Sequence, residues 1–125
     1  MFNFSGKRPD NLGVKDGKLA SCPGTPNCVS SQSDNPQFKI DPLPPVSIAE
    51  IKKVVEGMER TKIVEETDNY LYAEFTSKIM GYVDDVEFYL DTANNVVQVR
   101  SASRLGKSDL GVNRKRVEAI RSKLT

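Results

Sequence analysis

A chain of 125 residues, 38% of them hydrophobic, can close one ordinary core, and a net charge of +1 supplies no overall field toward nucleic acid or an anionic membrane. Histidine is absent, which removes the usual general base of Ser-His-Asp and Cys-His systems and the commonest metal ligand. No apolar run approaches the roughly 20 residues of a membrane-spanning helix, and Met1–Ser5 has neither the basic start nor the apolar stretch of a signal peptide, so the chain as written is expected to be soluble and cytoplasmic.

All seven prolines fall within the first 46 residues, which carry little periodic hydrophobicity. Residues 1–46 are therefore expected to form an extended arm packed on a domain built from residues 47–125. Within the arm, SCPGTPNCVSSQSDNPQ at 21–37 combines Pro-Gly and Asn-Pro turn signals with Ser, Asn and Asp side chains that bond to nearby backbone. Cys22 and Cys28 enclose five residues. A disulfide would close this loop in an oxidising compartment, whereas free thiols are expected in a reducing cytosol. The spacing is not the C-x-x-C of thioredoxin-like sites, so a structural role is expected. Two cysteines would need carboxylates to complete a zinc site, and no metal or cofactor is expected.

Ser47-Ile-Ala-Glu50 is a capping box that predicts a helix start. Ile48, Ile51, Val54, Val55 and Met58 then recur at near-helical spacing, and Gly57 suits the end. Alternating segments follow at Lys62–Glu65, Tyr70–Phe75, Val83–Leu90 and Val96–Arg100, separated by turn residues, and predict an antiparallel meander. Parity sets the register of the last hairpin. Placing Val86, Phe88 and Leu90 on one face with Val97 and Val99 requires paired numbers with an odd sum, and the short turn favours 187. Phe88 then faces Val99, Glu87 faces Arg100 on the opposite, solvent-exposed side, and Asp84 faces Ser103 on the core side near the strand end.

Ser108 or Asp109 is expected to cap a closing helix, with Leu110, Val117, Ile120 and Leu124 on its apolar stripe, Asn113 among them, and Arg114, Lys115 and Arg121 pointing elsewhere. The fold class is α+β: a single domain with a proline-rich arm, a helix, a four-stranded antiparallel meander and a C-terminal helix. If Phe38–Ile40 adds a strand, the order becomes β-α-β-β-β-β-α, the arrangement of one half of a TATA-binding-protein-like fold, a likeness without functional content. Residues 47–91 hold five basic and eleven acidic side chains, net −6, and residues 100–125 hold eight basic and two acidic, net +6. Such blocks in one domain are expected to pair across the fold.

Gly106-Lys107-Ser108 invites a nucleotide reading that fails. A phosphate loop of the form G-x-x-x-x-G-K-[ST] needs glycine where Ser101 stands, and a meander lacks the parallel βαβ context. A weaker expectation survives, in which Arg104, Lys107, Ser108 and the following helix N-terminus hold an anion, either a small ligand or a carboxylate of the protein itself.

CPGTPNCVSSQ at 22–32, YVDDVEFYLD at 82–91 and VRSASRLGKSDLGVNRKRVEAIR at 99–121 resemble the three signatures of domain-of-unknown-function family 1499 (DUF1499), over about residues 20–124. The arm from Gly6 to Ser31 is most similar to members from photosynthetic lineages, where relatives include plastid-directed proteins; members are often secreted, periplasmic or lipid-anchored. The resemblance implies no established activity. It does imply which residues act together: Cys22, Asn27, Cys28, Ser30 and Ser31; Asp84, Asp85 and Glu87; and Arg100, Ser101, Ser103, Arg104, Gly106, Ser108, Asp109, Gly111, Asn113 and Arg114.

Three functional readings follow, beside a purely structural one in which these acids and bases form a buried network. The leading reading is a non-enzymatic binding or accessory domain for a small polar or anionic ligand or a protein partner. Its site would be a polar pocket at the Asp84, Arg100, Arg104 and Asn113 end of the sheet, roofed by the Cys22–Cys28 segment. The second is a hydrolase or isomerase using Asp84 and Asp85 as acid and base. The third, weak nucleic-acid binding by Arg114, Lys115, Arg116, Arg121 and Lys123, is disfavoured by the near-neutral total and the lack of an aromatic stacking pattern.

Overall fold

The computed structural model describes residues 4–124. Its elements are β1 (Cys28–Ser30), α1 (Ile48–Glu56), β2 (Thr61–Glu66), β3 (Tyr70–Thr76), β4 (Val83–Asp91), β5 (Val96–Ser103) and α2 (Val112–Lys123). The five strands form one antiparallel sheet in the order β1-β5-β4-β3-β2. The α+β class and the meander stand as expected from the sequence.

Local chemistry places most of these elements. The Ser47 hydroxyl accepts from the Glu50 amide at 3.2 Å and starts α1, which buries Ile48, Ile51 and Val55. In the β4–β5 hairpin Asp84 pairs with Ser103, Glu87 with Arg100 and Phe88 with Val99, the register that parity predicts. The Asp109 carboxylate caps the turn into α2, accepting from the amides of Gly111 at 2.8 Å and Asn113 at 3.0 Å.

Two element expectations need correction. The strand ahead of α1 lies at Cys28–Ser30, not at Phe38–Ile40. Cys28, Val29 and Ser30 pair with Ala102, Ser101 and Arg100 along the free edge of β5, whereas residues 38–40 touch the sheet through a single bridge between Ser30 and Lys39. Pro36 and Pro42 bracket that segment and cannot donate to a ladder, which keeps it short. Leu110 is the second correction: it is 88% exposed rather than part of the α2 stripe. The backbone turns through left-handed conformations at Leu110 and Gly111, so the helix begins at Val112 and its buried stripe is Asn113, Val117 and Ile120.

Alternation gives the sheet two faces, and both are covered. One carries Leu71, Ala73, Phe75, Val86, Phe88, Val97 and Val99 against both helices and against Val29, Ile40 and Leu43 of the arm. The other carries Tyr70, Tyr72, Glu74, Asp85, Glu87, Arg100 and Arg104. Leu19 of the arm, with Leu12 and Val14, packs there against Tyr70, Tyr72 and Tyr89. Glu87 and Arg100, expected in solvent, are therefore buried at 0% and 5% exposure. The register of the pair is as predicted, but the arm lies over it.

Candidate functional site

The arm face holds a dense charge network. Arg104 grips Asp85 with both branches of its guanidinium, Nε to Oδ2 at 2.9 Å and Nη2 to Oδ1 at 2.8 Å, a bidentate geometry that resists displacement. The same Nη2 reaches Glu74 Oε2 at 2.6 Å and the Tyr72 hydroxyl at 3.2 Å. Arg8 adds Nη2 to that Glu74 oxygen at 2.7 Å. The hydrogen bond to Asp85 makes Arg104 still more basic. Burial pushes the Glu74 carboxyl up, but hydrogen bonds from Arg8 and Arg104 outweigh it and hold the group below the usual carboxylate range.

One residue pair further along, compensation is poorer. Glu87 Oε2 accepts from the Tyr70 hydroxyl at 2.5 Å and the Gly13 amide at 2.7 Å. Its other oxygen lies 3.8 Å from Arg100 Nη1, near enough to attract and too far to hydrogen-bond, and among the described residues Glu87 Oε1 and Arg100 Nε have no hydrogen-bond partner. Burial raises the Glu87 carboxyl despite the Tyr70 and Gly13 bonds, and burial lowers Arg100.

The helix face has a second network. Arg116 Nη2 pairs with Asp84 Oδ2 at 2.7 Å while its guanidinium stacks 4.8 Å over the Phe75 ring. Asn113, fully buried, is the hub: Oδ1 accepts from the Ser101 hydroxyl at 2.6 Å and from Arg116 Nη1 at 2.7 Å. Its Nδ2 donates to Asp109 Oδ2 at 2.7 Å, Ser103 Oγ at 2.9 Å and the Asn27 carbonyl at 3.1 Å. Asn27 then holds the β5–α2 loop from behind, its carbonyl accepting from the Ser103 amide at 2.9 Å and its Nδ2 donating to the Gly106 carbonyl at 2.8 Å. The residue after Asn27 is Cys28, joined by a disulfide to Cys22.

The residues singled out in the sequence thus separate into two sets. Asp84 and Asp85 point to opposite faces, as neighbours on a strand must, and do not converge as an acid and base. Arg100 and Arg104 face the arm and their carboxylates. Lys107 and Ser108 lie exposed on the loop, and the helix N-terminus is filled by Asp109. Arg114 donates to the carbonyls of Lys39 and Gln37, and Arg121 to those of Pro42 and Asp41, which fastens α2 to the arm.

Between the β3–β4 loop and the β5–α2 loop lies a groove of about 430 Å³. Its walls are Phe4, Tyr82, Val83, Leu105, Leu110 and Val112, with Asp84, Ser103, Ser108 and Asp109 among the polar lining residues. Phe4 and Tyr82 stack with ring centroids 5.4 Å apart. The sequence reading placed Val83 in a strand and Leu110 on the α2 stripe but saw no shared surface, because these residues come from the arm, two loops and the first positions of β4 and α2, where no single periodicity joins them.

A family model described as a protein of unknown function (DUF1499) matches residues 18–124. The chain belongs to this family. No curated protein and no solved structure matches the chain. The DUF1499 match takes in the disulfide loop, Asn27, both helices, the whole sheet and every groove residue except Phe4. Arg8 and Gly13, which cover Glu74 and Glu87, precede it. Among the described residues, no helix is long and apolar enough to cross a membrane, and no group of three or more His, Cys, Asp or Glu side chains is placed to hold a metal ion.

Proposed function

We propose that the chain is a non-enzymatic binding domain whose site is the groove between the β3–β4 and β5–α2 loops. The ligand is a small molecule with a mainly apolar body and a polar end that meets the rim at Ser103 and Ser108. One observation carries this reading. Among the described residues the exposed large hydrophobics are Phe4, Ile79, Tyr82, Leu105, Leu110 and Val112, and five of these six line the one groove. Scattered singly they would need no explanation, but gathered around a concavity they mark a binding surface. The volume of about 430 Å³ falls within the roughly 300–1,000 Å³ typical of ligand pockets.

The anionic ligand that the sequence suggests has weaker support, because Arg104 is held by Asp85 and Glu74 on the other face of the sheet. Nucleic-acid binding by α2 loses support for a similar reason, since Arg114, Arg116 and Arg121 are engaged internally.

Titration with N-phenylnaphthylamine, an uncharged dye that fluoresces in apolar surroundings, tests the reading. Saturable binding is expected, weakened by about tenfold or more in a Leu105→Asp, Val112→Asp variant from the loss of two apolar walls. Both positions are solvent-exposed, so the variant should keep the parent circular dichroism spectrum. Undiminished binding in that variant, or no saturable binding to the parent chain, would overturn the proposal.

A further inference from the structure

The Cys22–Cys28 disulfide stands behind the groove rather than in it, and the connection between them is short. Residues 103–112 supply Ser103, Leu105, Gly106, Ser108, Asp109, Leu110 and Val112 to the lining, more than half of it. That loop follows β5 and carries left-handed residues at Gly106, Leu110 and Gly111, so it has no strand ladder of its own to hold its shape. Arg104 at its start and Asp109 near its end bond to the sheet and to α2, and Asn27 holds it from behind through the bonds to Gly106, Ser103 and Asn113 described above. Asn27 is buried, and its Oδ1 accepts from the Thr25 hydroxyl at 2.8 Å, so both ends of its amide are fixed. It therefore sits inside the disulfide-closed loop, next to Cys28.

We infer that the Cys22–Cys28 disulfide is a redox switch for the groove: oxidised, it holds Asn27 against the β5–α2 loop; reduced, it frees that loop and weakens binding. The inference rests on the groove being the binding site. The asymmetry of the two sulfurs suits the chemistry. Cys28 is buried in β1 against Ala102, whereas Cys22 is half-buried in the loop. A dithiol reductant would attack Cys22 Sγ as its thiolate, forming a mixed disulfide and expelling the Cys28 thiolate, which takes up a proton. The second thiol of the reductant then attacks its own sulfur in the mixed disulfide, releasing Cys22 as the other thiol. Two electrons pass to the protein, and the reductant leaves as its cyclic disulfide. Reduction removes the closure of the 22–28 loop but leaves β1 paired with β5, so the effect is expected to be local.

Hydrogen exchange read by mass spectrometry on the full chain, with and without dithiothreitol, tests this. Amides of residues 104–111 should exchange about tenfold faster or more in the reduced protein, while those of Ile51–Val55 in α1 stay protected. Affinity for N-phenylnaphthylamine should fall in parallel. An Asn27→Ala variant with the disulfide intact should loosen the same loop without reductant. Equal exchange of 104–111 in both redox states would overturn the inference, as would equal acceleration of the α1 amides, which would mean global unfolding, or an Asn27→Ala variant with the parent exchange. If the oxidised chain binds no dye while 104–111 still responds to reductant, the groove reading fails and the coupling of disulfide to loop is supported.

Discussion

The Glu87–Arg100 pair tests how far burial dominates this protein's electrostatics. Both side chains lie under the arm, their closest charged atoms are 3.8 Å apart, and each has one polar atom without a hydrogen bond among the described residues. Removing one partner of such a pair leaves the other as an uncompensated buried charge, at a cost of about 3–5 kcal/mol. Replacing both should be far cheaper, because the desolvation of two charges disappears with their attraction. In the double variant Glu87→Gln, Arg100→Met, the oxygen of the introduced side-chain amide can still accept from Gly13 and Tyr70, and the carbonyl of the exposed residue Ser21, which Arg100 touches at 3.4 Å, can turn to water. Arg100→Met alone should therefore lose about 3 kcal/mol, while the double variant should fall within about 1 kcal/mol of the parent or exceed it. Urea unfolding at neutral pH reads this directly: with a slope near 2 kcal/mol/M, the single variant shifts the midpoint down by about 1.5 M. The double-mutant cycle should give a coupling of about 2 kcal/mol or more. Losses that simply add, or an Arg100→Met variant costing under about 1 kcal/mol, would refute the premise that burial without full hydrogen bonding governs this pair.

The pH dependence should show two opposite signs. Hydrogen bonds from the Asn113 and Gly111 amides outweigh burial and hold Asp109 below the usual carboxylate range, so its contribution is present above the unfolded value and lost as pH falls through the folded one. Asp109→Asn should accordingly flatten the acid limb of a stability profile, whereas Glu87, raised by burial, favours folding most below its unfolded value and less as pH rises through the folded one. An acid limb unchanged in Asp109→Asn, followed by circular dichroism, would count against the cap. Arg104→Ala should destabilise by about 3 kcal/mol or more in the same urea assay, since Asp85, 2% exposed, loses its bidentate partner, while the folded fraction still binds the dye. Loss of dye binding with stability intact would instead restore Arg104 to the site.

Much of the architecture is legible along the chain because the physics that sets it is short-range. A hydroxyl three residues ahead of Glu50 starts α1, and alternation plus a short turn determines which residues of β4 and β5 stand opposite each other, down to Asp84 against Ser103. The three DUF1499 signatures are equally readable. Legibility stops where a contact spans most of the chain. Gly13 meets Glu87 and Arg8 meets Glu74, across separations of 74 and 66 residues, and no local pattern announces that an arm without periodicity will lie on a charged sheet face. The same limit explains Cys28–Ser30, whose loop-like composition hides an edge strand. Its pairing is decided by the vacant side of β5.

The sequence by itself determined the α+β class, the start of α1, the hairpin register and the family, because capping, periodicity and parity each act over a few residues. Only the tertiary structure decided that Arg116 and Arg104 are the partners of Asp84 and Asp85, and that Glu87 and Arg100 are buried. It alone gathered Phe4, Tyr82, Leu105, Leu110 and Val112 around one groove. Those outcomes depend on which segment covers which surface, a choice made by burying apolar area and satisfying buried charge across the whole molecule at once.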